Sequence, residues 1–282
     1  MPNPLTSVAR SDPLSLNNNS QSLRAPERSP VEGIVQTPEG SHLLVIAGPT
    51  GAGKSEFACE LASRVGGEIV CADAFQVYQG MPVLTAQPGP SLSEKVPHHL
   101  YSVVPPSLSF DAASYACMAR EKIAEIAKRG KEILLVGGSG LYLRALFGGL
   151  DEAPAPDPAL RASLGNRPLQ ELLEDLEKAD PHALTMIDWK NPRRVLRALE
   201  IVTQTGKPLA DSRKNAGCAA RACRGFLLTR EPGELKARIS RNVESMFQAG
   251  VVNEVMSVTD AGPTASRAIG FEEIRRHARG EL

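Results

Sequence analysis

The sequence has few aromatic residues and no excess of charge of either sign. Of its 282 residues, 4% are aromatic, and a single tryptophan, Trp189, is predicted to pack in the core. Lysine plus arginine total 32, as do aspartate plus glutamate, so any surface that binds a polyanion must be local. No apolar run approaches the roughly 20 residues of a membrane-spanning helix, so we expect no membrane partner.

Metal-binding cysteine patterns are also absent from the sequence. None of the five cysteines forms a Cys-x-x-Cys pair, and no histidine cluster completes a zinc set. We therefore expect small buried side chains in a reducing compartment, and a cytoplasmic protein. These cysteines are Cys59, Cys71, Cys117, Cys218 and Cys223.

Residues 1–38 differ in composition from the rest of the chain. They are rich in proline, serine and asparagine and contain no aromatic residue, so they cannot bury enough apolar surface to fold. We predict a disordered N-terminal tail. It contains no apolar segment typical of a secretory signal. Its scattered serines, together with Arg10, Arg24 and Arg28, leave a transit peptide as an alternative to a plain tail.

A phosphate-binding loop is the most informative feature that the sequence does contain. Residues 48–55 fit the pattern G-x-x-x-x-G-K-[ST], with an apolar strand-like run at 43–47 before them and helical spacing after them. Glycines let the backbone N–H groups turn towards an anion, and the following helix adds its positive end. Lys54 is predicted to reach the outer phosphates, and Ser55 to hold Mg²⁺. The predicted diphosphate or nucleotide site comprises Gly48, Pro49, Thr50, Gly51, Ala52, Gly53, Lys54 and Ser55.

The first half of the chain alternates strand and helix signals. A second strand over 68–72 ends at Asp73, a helix runs from Asp111 to Gly130, and a short apolar strand covers 133–136. This alternation predicts an α/β fold like that of phosphate-loop NTPases, with a parallel sheet flanked by helices. Ligands of such sheets bind beyond the carboxyl ends of the strands.

A proline cluster at 153–158 marks a change to helical patterns. Helices are predicted to begin at Pro168 and at Asn191-Pro192, and a third to cover residues 232–249. The predicted organisation is a tail at 1–38, an α/β core at 39–150, an inserted helical domain at 151–225, and a return to the core at 226–282.

Asp73 is the first candidate for chemistry, because it follows the strand next after the phosphate loop. It could support Mg²⁺, act as a general base, or simply cap a turn. The strand at 133–136 ends in Gly137 and Gly138 rather than in an aspartate, which disfavours a motor ATPase or a GTPase. His98 and His99 are predicted in a loop.

Arginines cluster at helical spacing in three places. Such faces suit an anionic partner such as RNA, although each alone could be an ordinary solvated face. The clusters are Arg193, Arg194 and Arg197; Arg238 and Arg241; and Arg275, Arg276 and Arg279.

Together these motifs resemble the tRNA dimethylallyltransferases, also called tRNA isopentenyltransferases, over about residues 42–278. The order and spacing of the segments make the resemblance specific. The similar segments are 48–55, 72–81, 85–88, 97–100, 136–142, 191–200 and 238–250.

The resemblance implies transfer of a dimethylallyl group from its diphosphate to the exocyclic amine of the adenine 3′ to a tRNA anticodon. The partners of such an enzyme would be dimethylallyl diphosphate and a tRNA anticodon stem-loop, and its cofactor Mg²⁺. The sequence does not determine the oligomeric state, for which a monomer is the default expectation. The implied catalytic residues are Asp73 as the base, Ser139 and Arg241. The implied tRNA-binding residues are Asp73, Ala74, Phe75, Gln76, Ser139, Arg161, Arg193, Arg194 and Arg197.

Four positions depart from the family pattern. Ser139 replaces a threonine and keeps its hydroxyl. Ala74 replaces a serine, Leu84 a glycine and Gln87 a lysine. The loss of the lysine is expected to weaken a phosphate or RNA contact.

Two other functions remain open at this point. A small-molecule or nucleotide kinase would use the same loop for ATP, with Asp73 activating an acceptor, and would need arginines from a short lid. The predicted helical insertion is long for such a lid. A non-catalytic RNA-binding adaptor is the other alternative, which the intact Lys54, Ser55 and Asp73 disfavour.

Overall fold

Five parallel strands form one sheet in the computed structural model, which describes residues 42–148, 153–212 and 224–282. The strand order is β3-β2-β4-β1-β5, and every pairing is parallel. The strands are β1 (Leu43–Ala47), β2 (Glu68–Cys71), β3 (His98–His99), β4 (Ile133–Val136) and β5 (Arg224–Leu227). The predicted α/β class and parallel sheet are confirmed.

Helices connect the strands and follow them. In the α/β part they are α1 (Lys54–Val65), α2 (Pro90–Ser93), α3 (Ala112–Lys128) and α4 (Gly140–Phe147). Next come α5 (Pro158–Gly165), α6 (Leu169–Ala179), α7 (Ala183–Met186), α8 (Pro192–Thr205) and α9 (Leu209–Ser212). After β5 come α10 (Pro232–Gln248), α11 (Val251–Ser257), a 3₁₀ turn (Ala265–Arg267) and α12 (Phe271–Ala278).

Apolar side chains cover both faces of the sheet. Every residue of β2 and β4 is buried, and all of them except Glu68 are apolar, as expected of a parallel sheet that is covered on both faces. On one face the core joins α3, α4, α11 and α12 to the strands, and on the other face it joins α1. Along α1, Ala58 and Ala62 are buried against Ile46.

Helix boundaries agree with the capping signals. Asp111 accepts a hydrogen bond from Ser114 N at 2.8 Å and begins α3. Asn191 accepts one from Arg193 N at 3.1 Å at the start of α8, and Gly206 ends that helix with φ 62°. Pro168 lies just before α6 instead of at its first residue.

Helices α5 to α9 enclose a hydrophobic cluster of their own. It forms around Leu172, Leu176, Val195, Leu199 and Leu209. This cluster supports an inserted helical domain, but the boundaries at 151 and 225 stay predictions. Residues 1–38 lie outside the described residues.

Two of the expectations from the sequence were wrong. The Trp189 side chain is 49% exposed, with Lys190 Nζ 5.5 Å from its ring centroid, so it does not pack in the core. His98 and His99 form the edge strand β3 instead of a loop, because they pair with Ile69 and Val70.

The predicted burial of the cysteines is confirmed at Cys59 and Cys71, while Cys117 is half-buried. Cys218 and Cys223 lie outside the described residues. Among the helices of the described residues, none combines the length and the apolar character needed to cross a membrane.

The ends of β2 and β4 approach each other closely at Gly137. A Cβ at this position would lie 2.1 Å from Ala72 O and 2.2 Å from Ala72 C, which no side chain can occupy. The backbones after the two strands therefore touch, and both run directly into the loops that follow them.

We predict that Gly137→Ala destabilises the protein by about 3 kcal/mol, because the methyl group must separate these two backbones. Gly140→Ala is the matched control, since nothing lies within 4 Å of its Cβ position. That control is expected to be neutral or to gain about 0.5 kcal/mol. Urea unfolding measures both, and equal midpoints for the two variants would contradict the prediction.

Candidate active site

The phosphate loop joins β1 to α1 in a conformation that needs glycine. Gly51 and Gly53 have φ angles of 82° and 91°, in the left-handed region that other residues avoid. When left-handed residues alternate with other conformations along a loop, successive N–H groups turn towards one side, where they bind anions. The loop ends at Lys54, the first residue of α1, so the positive end of this helix faces the same space.

Lys54 folds back over this loop. Its Nζ donates a hydrogen bond to Pro49 O at 3.0 Å and lies 4.0 Å from where a Cβ of Gly138 would be. Partial burial lowers the pKa of Lys54 below the ordinary lysine value, although the nearby Asp73 and Glu56 carboxylates act in the opposite direction. The ammonium thus lies between the phosphate loop, the end of β4 and Asp73.

Two arginines hold the phosphate loop from its other side. Arg230 Nε donates to Ala52 O at 3.0 Å, and Arg238 Nε donates to Gly51 O at 2.8 Å. One terminal nitrogen of each lies within 3.6 Å of the Cβ position of Gly53. The cations next to the loop are therefore Lys54, Arg230 and Arg238.

Arg230 belongs to the site although no sequence motif indicated it. The available signal was its place, three residues after β5, where the carboxyl ends of parallel strands meet. Arg241, the arginine that was assigned, is exposed on α10 one turn beyond Arg238. Its catalytic role stays a prediction.

Asp73 follows β2 and closes a short turn. Its Oδ1 accepts hydrogen bonds from Phe75 N at 2.9 Å and from Gln76 N at 3.4 Å. Both bonds use the same carboxylate oxygen, and together they fix the orientation of the carboxylate. The other oxygen can then accept a proton or contact a cation.

Ser139 connects this turn to the end of β4. Its Oγ accepts a hydrogen bond from Ala74 N at 2.8 Å, so the hydroxyl hydrogen stays available to donate elsewhere. The bond needs only a hydroxyl, which explains why serine can replace threonine here. Asp73, Ala74 and Ser139 are thus brought together as predicted.

Gln76 is placed at the same turn, but its side-chain amide is already occupied. Its Nε2 donates to Thr85 O and Ala86 O, both at 2.9 Å. The amide therefore orders the surrounding backbone, and its predicted contact with tRNA stays a prediction. Phe75 and Ala74 are half-buried and pack against the main core.

Buried tyrosines form a dry layer beneath Asp73. Tyr115 Oη donates to Cys71 O at 2.8 Å, and the Tyr115 ring stacks on Tyr142 with centroids 4.0 Å apart. Burial raises the pKa of Tyr115 and of Tyr142 well above the ordinary tyrosine value, and raises that of the Cys71 thiol, so all three stay neutral. This layer packs in one cluster with Cys71 and Ala72, the residues directly before the turn.

The predicted tRNA-binding arginines divide into two kinds. Arg161 binds the fully buried Glu200 through two nitrogens, at 2.5 Å and 2.7 Å. Arg197 donates to Glu200 at 3.2 Å and to Pro154 O at 2.5 Å. These two arginines join α5, α8 and the segment before α5, so they also have a structural role.

Arg193 and Arg194 are exposed at the start of α8. Arg194 is 3.9 Å from Asp188, a loose surface pair. Arg267, on the 3₁₀ turn, has its pKa lowered by partial burial and by the positive charges of Arg193 and Arg161. The basic surface thus continues from α8 onto the α/β part, which the sequence did not indicate.

We predict that Arg161→Ala lowers the free energy of unfolding by about 2 kcal/mol, because it leaves the buried Glu200 carboxylate with a single arginine. Arg193→Ala, at an exposed arginine of the same surface, is the control and should change stability little. Thermal and urea unfolding of both variants test this. Similar stabilities would show that Glu200 does not depend on Arg161.

Similarity to known proteins agrees with this geometry. A family model described as IPP transferase matches residues 76–282. A tRNA dimethylallyltransferase of Akkermansia muciniphila is 41% identical over 239 residues, covering 85% of this chain and 81% of that protein. One from Geobacter sulfurreducens is 40% identical, covering 84% and 80%. The chain belongs to the IPP transferase family.

Solved structures of IPP transferases have the same fold. A tRNA isopentenylpyrophosphate transferase from Bacillus halodurans is 33% identical, with a TM-score of 0.57 over 86% of this chain and 78% of that one. A eukaryotic dimethylallyltransferase acting on tRNA is 28% identical, with a TM-score of 0.65 over 77% and 56%. These comparisons give no support to the kinase alternative.

Proposed function

We propose that this chain transfers a dimethylallyl group from dimethylallyl diphosphate to the exocyclic amine of the adenine 3′ to the anticodon of a tRNA. The observation that carries the proposal is that the end of β4 connects Lys54 with the Asp73 turn, because Lys54 Nζ lies beside Gly138 and the next residue, Ser139, accepts a hydrogen bond from Ala74 N. Such a site offers a cationic place for a leaving diphosphate beside a carboxylate base. Membership of the IPP transferase family supports the same reaction.

The phosphate loop would hold the diphosphate. In the reaction, the bond between the allylic carbon and the diphosphate oxygen breaks while the amine nitrogen forms its bond to that carbon. Negative charge then accumulates on the diphosphate, where Lys54 and the two arginines that contact the loop, Arg230 and Arg238, would stabilise it. Arg241, which lies with Arg238 on α10, is proposed to contribute its charge as well.

Asp73 is proposed to accept the proton that the amine loses. Hydrogen bonds from Phe75 N and Gln76 N hold one of its oxygens, which leaves the other to meet the amine. The adenine must leave its stack to reach this carboxylate, at a cost of about a few kcal/mol. Ala74, Phe75, Gln76 and Ser139 are proposed to line the place that receives the base.

Mg²⁺ is the proposed cofactor. The donor set fits this ion, because Mg²⁺ commonly binds one or two protein oxygens together with phosphate oxygens and water, and Ser55 follows Lys54 directly at the start of α1. Among the described residues, no cluster of three or more histidine, cysteine, aspartate or glutamate side chains offers an all-protein metal site. When bound, the ion would offset charge on the diphosphate.

The tRNA would contact the basic surface of α8. Arg193, Arg194 and Arg267 offer exposed charges to its phosphates, while Arg161 and Arg197 share theirs with Glu200. Binding that relies on such contacts weakens as salt increases. The anticodon stem-loop as the bound region, the cytoplasmic location and the monomeric state stay predictions.

The first test is transfer of radiolabelled dimethylallyl diphosphate to an unmodified tRNA with adenine beside its anticodon, in the presence of Mg²⁺. We expect label in the tRNA from the wild-type protein and none from Lys54→Ala, because the leaving diphosphate loses its ammonium. ATP with small acceptors is the control for a kinase. ATP consumption without tRNA labelling would replace the proposed function by that alternative.

Asp73→Asn tests the proposed base. Asparagine keeps an oxygen that can accept the bonds from Phe75 N and Gln76 N, so the turn persists while the base is lost. We expect kcat to fall about 100-fold or more, with tRNA binding nearly unchanged. Asp157→Asn, at the cap of α5, is the control, because Asp157 also accepts two backbone bonds but lies outside the site. Loss of tRNA binding with kcat retained would exclude the general-base role.

A further inference from the structure

Two glutamine side chains connect the Asp73 turn with the segment around residue 86, because each bonds backbone carbonyl groups of the segment that contains the other. Gln76 Nε2 donates to the carbonyl oxygens of Thr85 and Ala86, both at 2.9 Å. In return, Gln87 Nε2 donates to Gln76 O at 2.9 Å and to Tyr78 O at 3.2 Å. Each amide thus uses both of its hydrogens on the other segment, and we name this pair, Gln76 and Gln87, the glutamine clasp.

Ser102 completes the glutamine clasp from a third segment. Its Oγ donates to Gln87 Oε1 at 2.9 Å, and its N donates to Gln76 O at 3.0 Å. These partners fix the orientation of the Gln87 amide, because its nitrogen faces two acceptors and its oxygen faces a hydroxyl donor. Every polar atom of the half-buried Gln87 side chain is therefore used inside the protein.

The backbone around the glutamine clasp adopts a conformation that residues other than glycine avoid. Ala86 and Ser102 have φ angles of 52° and 49°. Together with Leu100, at 63°, they are the non-glycine residues with positive φ in the described part of the chain. Because Ala86 and Ser102 each supply an atom to the clasp, its hydrogen bonds hold this unfavourable backbone in place.

The glutamine clasp is continuous with the Asp73 turn. Gln76 N donates to Asp73 Oδ1, while Gln76 O accepts from Gln87 and Ser102. A shift of Gln76 would therefore change the direction of the Asp73 carboxylate. We propose that Gln87 is a positioning residue, which fixes the Asp73 turn for proton transfer from the adenine amine. The inference rests on the proposed function.

This role also explains why glutamine can stand where the family pattern has lysine. The position requires donors for two carbonyl oxygens, which an amide nitrogen provides with its two hydrogens and an ammonium with its three. Glutamine adds an acceptor for Ser102 and needs no counter-charge in its half-buried place. The sequence-based expectation of a lost phosphate or RNA contact does not follow from this geometry, since the side chain is engaged internally.

Three substitutions separate donor chemistry from shape and charge. Gln87→Lys keeps donors, Gln87→Leu removes them, and Gln87→Glu places an acceptor against two carbonyl oxygens. We expect Gln87→Lys to keep kcat within about threefold of wild type, and the other two to lose about tenfold or more, since small misplacements of reacting groups are costly. The KM for dimethylallyl diphosphate should stay nearly constant, because the clasp does not contact the phosphate loop.

Gln170→Leu is the matched control, because the exposed Gln170 side chain bonds Glu174, its one side-chain partner within the described residues, on the surface of α6. It is expected to transfer at the wild-type rate. Ser102→Ala removes the bond that Gln87 Oε1 accepts and a longer contact of Ser102 Oγ with Tyr78 O at 3.4 Å, but leaves both donor bonds of Gln87, so it should lower kcat less than Gln87→Leu does. It keeps the proposal testable if Gln87→Leu fails to fold. Rates are measured in the whole 282-residue chain, per folded molecule, with the folded fraction taken from circular dichroism.

Three results would overturn the positioning role. The first is a wild-type kcat in Gln87→Leu, and the second is an equal loss of kcat in Gln87→Lys and Gln87→Leu. The third applies if Gln87→Leu does not fold, and is a wild-type kcat in both Ser102→Ala and Gln87→Glu. A wild-type protein that labels no tRNA would refute the proposed function and this role with it. An active wild type with an equally active Gln87→Leu variant would refute the positioning role alone.

Discussion

The site depends on the direct contact between backbones at the carboxyl ends of neighbouring strands. Gly137 leaves no room for a side chain against Ala72 O, and a Cβ at Gly138 would lie 3.1 Å from Gly48 O. The loops after β1, β2 and β4 therefore begin within contact distance of one another. This is what places the phosphate loop, Asp73 and Ser139 around one small volume, although 91 residues separate Gly48 from Ser139 by their numbering. A buried parallel sheet makes such contact possible, because its strands end at a common edge.

Hydrogen bonds around Asp73 then convert this proximity into a fixed geometry. Its turn is held by backbone N–H groups from within, by Ser139 from the loop after β4, and by the glutamine clasp from the segment that follows. Beneath it, buried tyrosines provide a neutral layer with few ways to move. A base that must meet an adenine for a short time benefits from such order, since the orientation is established before the substrate arrives.

Local sequence signals predicted the elements of this site well. They did not predict contacts between residues that are far apart in the chain. The phosphate loop, the strand at 133–136 and the Asp111 cap each depend on a few adjacent residues, so their patterns were sufficient. Arg230 was missed because its partner, Ala52 O, lies 178 positions away. His98 and His99 form a strand only because β2 lies beside them, and nothing local indicates this. Trp189 was misplaced because residue type alone does not determine burial when a surface lysine can cover one face of the ring.

The arginines of α8 have two different surroundings. A surface that binds a polyanion needs cations without a nearby carboxylate. One arginine of α8, Arg197, instead bonds groups inside the helical part of the chain. On α8 these roles are divided between neighbouring turns, because Glu200 takes up the charge of Arg197 and Arg161 while Arg193 and Arg194 stay exposed. The few exposed charges, extended by Arg267, limit how much binding energy phosphates alone can contribute. In the proposed reaction, discrimination among RNAs then comes largely from whether an adenine can leave its stack and reach Asp73. The fixed orientation of the Asp73 carboxylate makes this step depend on the position of the base.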